Sequence, residues 1–248
     1  MRQNNFNKYL LLILLIVGPG TAFVQGGFGG VAEWLMETAL VFPGIVIALS
    51  FHEFGHAKVA QLCGDRTPEY MGRVTLDPMA HIDLMGMVSL LTIHFGWGKP
   101  VVVNPLNYRN RKRGSLAVGF AGVGMNLLVA IVFSGIIKLL YMISPEFMIY
   151  NTFGHIIGQL IVEVVIINIS LMFFNLLPVA PLDGFGIVCD IFNLNGSRFD
   201  TFMRNYSSLI LLMFIIFEIP GKILSAPLSF TVNFLMGRVF SVPWYLFL

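Results

Sequence analysis

The chain has 248 residues, of which 56% are hydrophobic and 11% charged, and its formal net charge is +2. Soluble domains carry about 25% charged residues, so this composition, with a mean hydropathy of +0.81, excludes an ordinary water-soluble domain, whose surface so few charges cannot cover. The small net charge without a basic face excludes a nucleic-acid partner, and Cys63 and Cys189 lack the C-x-x-C spacing of a metal ribbon or redox pair.

What remains is an all-α membrane protein embedded in the lipid bilayer. Apolar stretches able to cross a bilayer, which takes roughly 20 residues, fall at about 9–25, 36–62, 115–143, 153–177, 206–219 and 223–240. Arg2 and Lys8 flank the first stretch as in a signal peptide, but no A-x-A cleavage pattern follows, so it reads as a retained span. Pro220 and Gly221 break the last two into a hairpin. The expectation is about six transmembrane helices in a single domain, with a core at about 36–193, a first helix at about 9–25 and C-terminal helices at about 206–240.

Between the second and third stretches, Gly64 to Gly114 carries Arg66, Arg73, Lys99, Arg109, Arg111, Lys112 and Arg113, which marks a cytoplasmic loop by the positive-inside rule. The opposing connection, Ser144 to Thr152, has Glu146 and no Lys or Arg. The amino terminus is then cytoplasmic, and the second and fourth spans run inward. Within the loop, Arg73–Leu76, Val88–Phe95 and Pro100–Val103 lean towards β structure, punctuated by Gly, Pro, Asp and Asn. A small membrane-associated β-sheet is expected there, because Leu90, Leu91, Ile93 and Phe95 are too apolar for an aqueous loop.

The second span contains His52-Glu53-Phe54-Gly55-His56. On a helix the two imidazoles stand one turn apart on one face, a spacing that lets both bind one zinc, with the intervening carboxylate placed as a general base. As purely structural groups, three ionisable residues in five would be costly at membrane depth, at roughly 2.5–3.5 kcal/mol for each charged one near the centre. A divalent cation offsets that cost.

A catalytic zinc usually takes three protein ligands and keeps one position open. The candidates for the third are His81, His94, His155, Glu163 and Asp183. His52 lies about ten residues before the inner end of its span, roughly 15 Å deep at 1.5 Å per residue. Asp183 lies a similar count before the polar segment Asn193 to Arg198, whereas His155 and Glu163 lie nearer the outer side. Depth therefore selects Asp183. Pro178 and Pro181 should unwind the helix just before it and free backbone to face a cavity.

The chain resembles the site-2 protease family of intramembrane zinc metalloproteases over roughly residues 45–190. The resemblance rests on His52 to His56, on Gly72-Arg73-Val74-Thr75-Leu76-Asp77-Pro78 with His81-Ile82-Asp83, on Gly96-Trp97-Gly98-Lys99-Pro100 leading to Val103-Asn104-Pro105, and on Asn175 through Gly184, which is similar to the family's Asn-Pro-Asp-Gly signature. It looks most like the compact members without a PDZ domain. Where relatives read Ala-Gly-Pro before an asparagine, this chain has Ala121-Gly122-Val123-Gly124-Met125-Asn126.

The resemblance implies one zinc per chain on His52, His56 and Asp183, a three-helix catalytic core, and hydrolysis of transmembrane-helix protein substrates, while the basic loop implies a site opening to the cytoplasm. Glu53 would be the base, and Asn126 and Asn175 the amides that donate to the substrate carbonyl or the oxyanion. Asn168 reads as a helix-packing residue. The loop sheet would hold an unwound substrate by strand addition. Two other classes also place His and Asp in a membrane: a catalytically inactive relative that binds membrane helices, and a divalent-metal transporter, which needs a second gating set absent from the outer half.

Overall fold

The computed structural model describes the backbone of residues 2–93 and 96–248, and the side chains of 16–92 and 96–248. Its helices are α1 (Arg2–Cys63), α2 (Thr67–Tyr70), α3 (Pro78–His81), α4 (Leu84–Ile93), α5 (Arg111–Ile143), α6 (Pro145–Tyr150), α7 (Thr152–Asn175), α8 (Asp183–Phe192), α9 (Arg198–Asn205), α10 (Ser207–Ile216) and α11 (Ile219–Val232), followed by a π-helical segment, Asn233–Val239.

The helix α1 is broken at Gly27, whose φ of 60° and ψ of −145° lie where only glycine rests without strain. The two limbs fold back on each other. A Cβ on Gly18 would stand 2.7 Å from the Trp34 ring, although sixteen residues of straight helix would separate the pair by about 24 Å. The rings of Phe23 and Phe28 meet edge to face across the break, with centroids 5.3 Å apart.

The helices α1, α5 and α7 pack against one another and form the centre of the fold. Asn110 and Asn151 start α5 and α7 by accepting hydrogen bonds from the Arg113 amide and from the Phe153 and Gly154 amides. The largest core cluster joins α5 and α7 to the π-helical segment and the chain's last turn through Val123, Ala130, Ile137, Val165, Ile169, Met236 and Phe247.

Two expectations are overturned. The six spans become three helices long and apolar enough to cross a membrane, Ile16–Cys63, Arg111–Ile143 and Thr152–Asn175, or four if the bent pair α9 and α10 is one span. The stretches at 9–25 and 36–62 belong to the single broken element α1, and the first lies partly outside the residues whose side chains are described. At the other end, Glu218 adopts a left-handed conformation (φ 53°) between α10 and α11. The α11 helix has 14 residues and an internal Pro227, so it spans about 21 Å where a hydrocarbon core is about 30 Å thick. This remains the architecture of a multi-pass membrane protein.

The expected β-sheet is absent among the described residues, where pairing is limited to a single bridge between Ile82 and Gly98. Val88 to Ile93 belongs to α4. A short apolar run does not distinguish strand from buried helix by its period, and here the start signal decides. The Asp83 carboxylate accepts from the Gly86 amide at 2.9 Å and caps the helix, while the Thr92 hydroxyl donates back to the Val88 carbonyl. Arg73–Leu76 and Pro100–Val103 are irregular. His94 and Phe95 lie outside the described residues.

Candidate metal centre

One helical turn of α1 brings His52 and His56 together, with ring planes nearly perpendicular and centroids 4.7 Å apart. The floor beneath them is the backbone of α5. A Cβ on Gly122 would stand 2.5 Å from both His52 Cε1 and His56 Nε2, so only glycine leaves room for the two rings. The α7 helix ends at Asn175, the chain runs irregularly through Leu176 to Leu182, and α8 begins at Asp183. The expected unwinding at Pro178 and Pro181 is where the structure breaks the helix. Gly184 returns against the Leu176 carbonyl, which tucks the start of α8 under the end of α7 and aims Asp183 at the histidines.

The three side chains converge. Asp183 Oδ2 lies 3.2 Å from Nε2 of His52 and 3.2 Å from Nε2 of His56, and the two Nε2 atoms are 3.1 Å apart. Among the described residues this is the group of His, Cys, Asp and Glu side chains able to hold a metal ion. Both imidazoles are buried, and the Asp183 side chain is 22% exposed.

The hydrogen-bond polarity around the cluster tests whether a cation fits. The Val118 carbonyl accepts only, so His56 Nδ1 must carry the hydrogen of their 2.8 Å contact, and in the neutral imidazole its Nε2 is then the lone pair. Asn126 Nδ2 lies 3.1 Å from the Ala48 carbonyl, which turns Asn126 Oδ1 towards His52 Nδ1 at 2.7 Å. His52 Nδ1 is then the donor, and in the neutral ring its Nε2 is likewise the lone pair. Asp183 Oδ2 is buried and lacks a hydrogen-bond donor. With neutral imidazoles three lone pairs point at a common centre, and a metal ion or a shared proton relieves their repulsion. Ligand atoms on a tetrahedral zinc at about 2.0–2.1 Å stand roughly 3.3 Å apart, close to the separations found.

Glu53 faces the same cavity, which encloses about 660 Å³ and is also lined by Asn175 and Asp183. Glu53 Oε2 accepts from the Val101 amide at 2.8 Å. Asn175 donates one amide hydrogen to Leu171 O at 3.1 Å, which leaves the other for a ligand. Asn126 is fully buried and gives both donors to protein acceptors, Ala48 O and Asn168 Oδ1. It touches the cluster through His52.

Among the described residues, the other candidates for the third ligand lie elsewhere. His81 is buried against the Thr75 carbonyl, His155 bonds Leu246 O, and Glu163 lines a separate cavity with Trp34 and Glu37.

Sequence reasoning missed Asp65. It lies just beyond α1, fully buried, and accepts from the Asn104 amide (2.6 Å), the Asn107 side chain (2.8 Å) and the Thr67 hydroxyl and amide (2.6 and 3.1 Å). Burial opposes its charge, but these four donors outweigh burial and hold the carboxyl below its ordinary range. Asp65 thereby straps residues 104–107 to the end of α1 and so sets where Val101 meets Glu53. Asp65-Arg66-Thr67, a local turn in which an Asp accepts from the residue two places on, was the signal available.

Known proteins similar to this chain carry metalloprotease names. The chain is 32% identical over 147 residues to "Putative zinc metalloprotease YwhC" of Bacillus subtilis, covering 59% of this chain and 66% of that protein. It is 28% identical over 182 residues to "Putative zinc metalloprotease Rip2" of Mycolicibacterium smegmatis, and 26% identical over 181 residues to the Mycobacterium tuberculosis protein of the same name, covering in each case 71% of this chain and 66% of the relative. The chain thus spans slightly under two thirds of the length of these relatives. No protein-family model matches it, and no solved structure matches it significantly. The chain has a His-His-Asp cluster able to coordinate a metal and is a distant homologue of the proteins named "Putative zinc metalloprotease" YwhC and Rip2.

Proposed function

We propose that the protein is an intramembrane zinc metalloprotease of the site-2 protease type that hydrolyses peptide bonds in or near transmembrane segments of other membrane proteins. The observation that carries this reading is the convergence of three ligand atoms, His52 Nε2, His56 Nε2 and Asp183 Oδ2, in the cavity that the Glu53 carboxylate also lines. Transport alone does not call for a free carboxylate at that place.

In this reading His52, His56 and Asp183 hold one zinc. Bound there, zinc supplies Lewis-acid polarisation of a carbonyl and makes water acidic enough to be deprotonated near neutral pH. Glu53 takes the proton of the attacking water and returns it to the leaving amine. The Val101 amide on Glu53 Oε2 fixes the carboxylate in place while it does so. Asn175 gives its free amide hydrogen to the substrate carbonyl. Asn126 holds His52.

The cavity extends past Ser115 to Asp190, Asn195 and Arg204, a polar route for water. The positive charge of the loop supports a mouth that opens to the cytoplasm, by the positive-inside rule. A helical substrate keeps its carbonyls hydrogen-bonded internally, so it must unwind locally before attack. Residues of about 36–193 form the catalytic core of a single domain.

The test is metal content and turnover measured together. Purified protein is assayed for zinc and for cleavage of a panel of model membrane helices, beside a Glu53→Ala variant. One zinc per chain with cleavage confined to the wild type supports the proposal. Zinc without cleavage by the wild type on any helix points to an inactive helix-binding relative.

A further inference from the structure

Behind His52 a line of polar groups leads away from the cavity into the packed centre of the fold. Asn126 on α5 and Asn168 on α7 are both fully buried. Asn168 Nδ2 donates to the Val164 carbonyl one turn back at 2.8 Å, and this tether turns its Oδ1 towards Asn126. Asn126 Nδ2 then donates to Asn168 Oδ1 at 3.0 Å and to Ala48 O at 3.1 Å.

We propose that Asn168 is a positioning residue of the metal centre: by holding the Asn126 amide in one orientation, it commits His52 Nδ1 to carry the hydrogen and His52 Nε2 to face the ion. The inference rests on the reading of the cluster as a metal site. Its physical basis is the cost of the alternative. If the Asn126 amide turned over, its oxygen would face two other acceptors, Ala48 O and Asn168 Oδ1, in a buried site where unmatched polar groups are expensive. His52 would then accept at Nδ1 and carry its hydrogen on Nε2, where the metal must bind. With Asn168 in place the turnover is opposed twice. Without it, the Ala48 carbonyl opposes it alone.

Groups that orient ligating imidazoles typically matter about 10- to 100-fold in metal affinity. Asn168→Leu should therefore weaken zinc binding by roughly that factor. Asn168→Asp is the informative partner. Its carboxyl keeps an acceptor oxygen for Asn126 and, when protonated, a donor for the Val164 carbonyl, so it should bind zinc as the wild type does. Asn168→Ala is made alongside, so that the result does not depend on the leucine side chain fitting.

The experiment measures zinc affinity by chelator competition in the detergent-solubilised full chain. It also measures the ¹⁵N shifts of labelled histidine in the metal-free protein, with His52 assigned by its loss in a His52→Ala variant. The expected result is weaker zinc binding and a His52 hydrogen moved to Nε2 in the Leu and Ala variants, with both properties restored in Asp. A role confined to helix packing would lower thermal stability and leave the tautomer unchanged, which overturns the proposal. So does an Asp variant as impaired as Leu. A wild type that binds no zinc overturns the metal-centre reading itself, a result distinct from variants that bind as well as the wild type does.

Discussion

Gly122 and His52 are in such close contact that the smallest added side chain would occupy the space of the imidazole, 2.5 Å from its Cε1. The clash involves His56 equally. Both rings sit between α1 and α5, so neither can move aside without losing its Nδ1 partner, Asn126 Oδ1 or Val118 O.

Gly122→Ala is therefore expected to spoil the metal centre. Zinc affinity should fall by at least about tenfold, as when a ligand's orientation is lost. Isothermal titration of the metal-free protein measures it. Affinity equal to the wild type would mean that the two helices separate easily at this point, against the packing described.

Asp183→Ala removes one of the three converging donors and should lower zinc occupancy after purification, although Asp183 is remote from His56 in sequence. Metal analysis after dialysis against a weak chelator reads the result. Full occupancy would remove Asp183 from the ligand set.

Glu53→Gln keeps the shape of the side chain and loses its basicity. Zinc content should stay at the wild-type level while cleavage of a model membrane helix falls by about 10²–10⁴, the usual worth of a general acid–base group. A variant that retains both zinc and normal turnover would show that another group moves the proton.

Asp65 carries a pH dependence of known sign. Its carboxyl is held below the ordinary value near 3.8, so its stabilising contribution is complete above that value and disappears as the pH falls through the lower folded-state value. Asp65→Asn should lower thermal stability at neutral pH, by roughly 1–3 kcal/mol for charge-assisted bonds lost from a buried acceptor. The gap between variant and wild type should then narrow as the pH is lowered below about 4. Unfolding temperatures at a series of pH values provide the measurement, and a gap independent of pH would contradict the assignment.

The His-His-Asp cluster was legible in the sequence because its logic is local. His52 and His56 are one turn apart on any helix, and the prolines before Asp183 break α7 whatever surrounds it. Depth below the charged loop was enough to pair Asp183 with the histidines, since helix rise converts residue count directly into distance. The fold was less legible. Val88 to Ile93 has the composition of a strand, and the capping carboxylate of Asp83 makes it a helix.

Hydropathy and the His-Glu-x-x-His spacing by themselves determined that the chain lies in a membrane and carries paired imidazoles, because both depend on composition and helical period alone. Tertiary structure decided which way each asparagine faces. Asn126, Asn168 and Asn175 look alike in sequence, but an amide has a polarity that only its neighbours reveal. The Ala48 and Val164 carbonyls turn Asn126 and Asn168 inward towards His52, while Asn175 keeps a hydrogen for the cavity. Acceptors brought from separate helices set that difference, and no spacing along the chain encodes it.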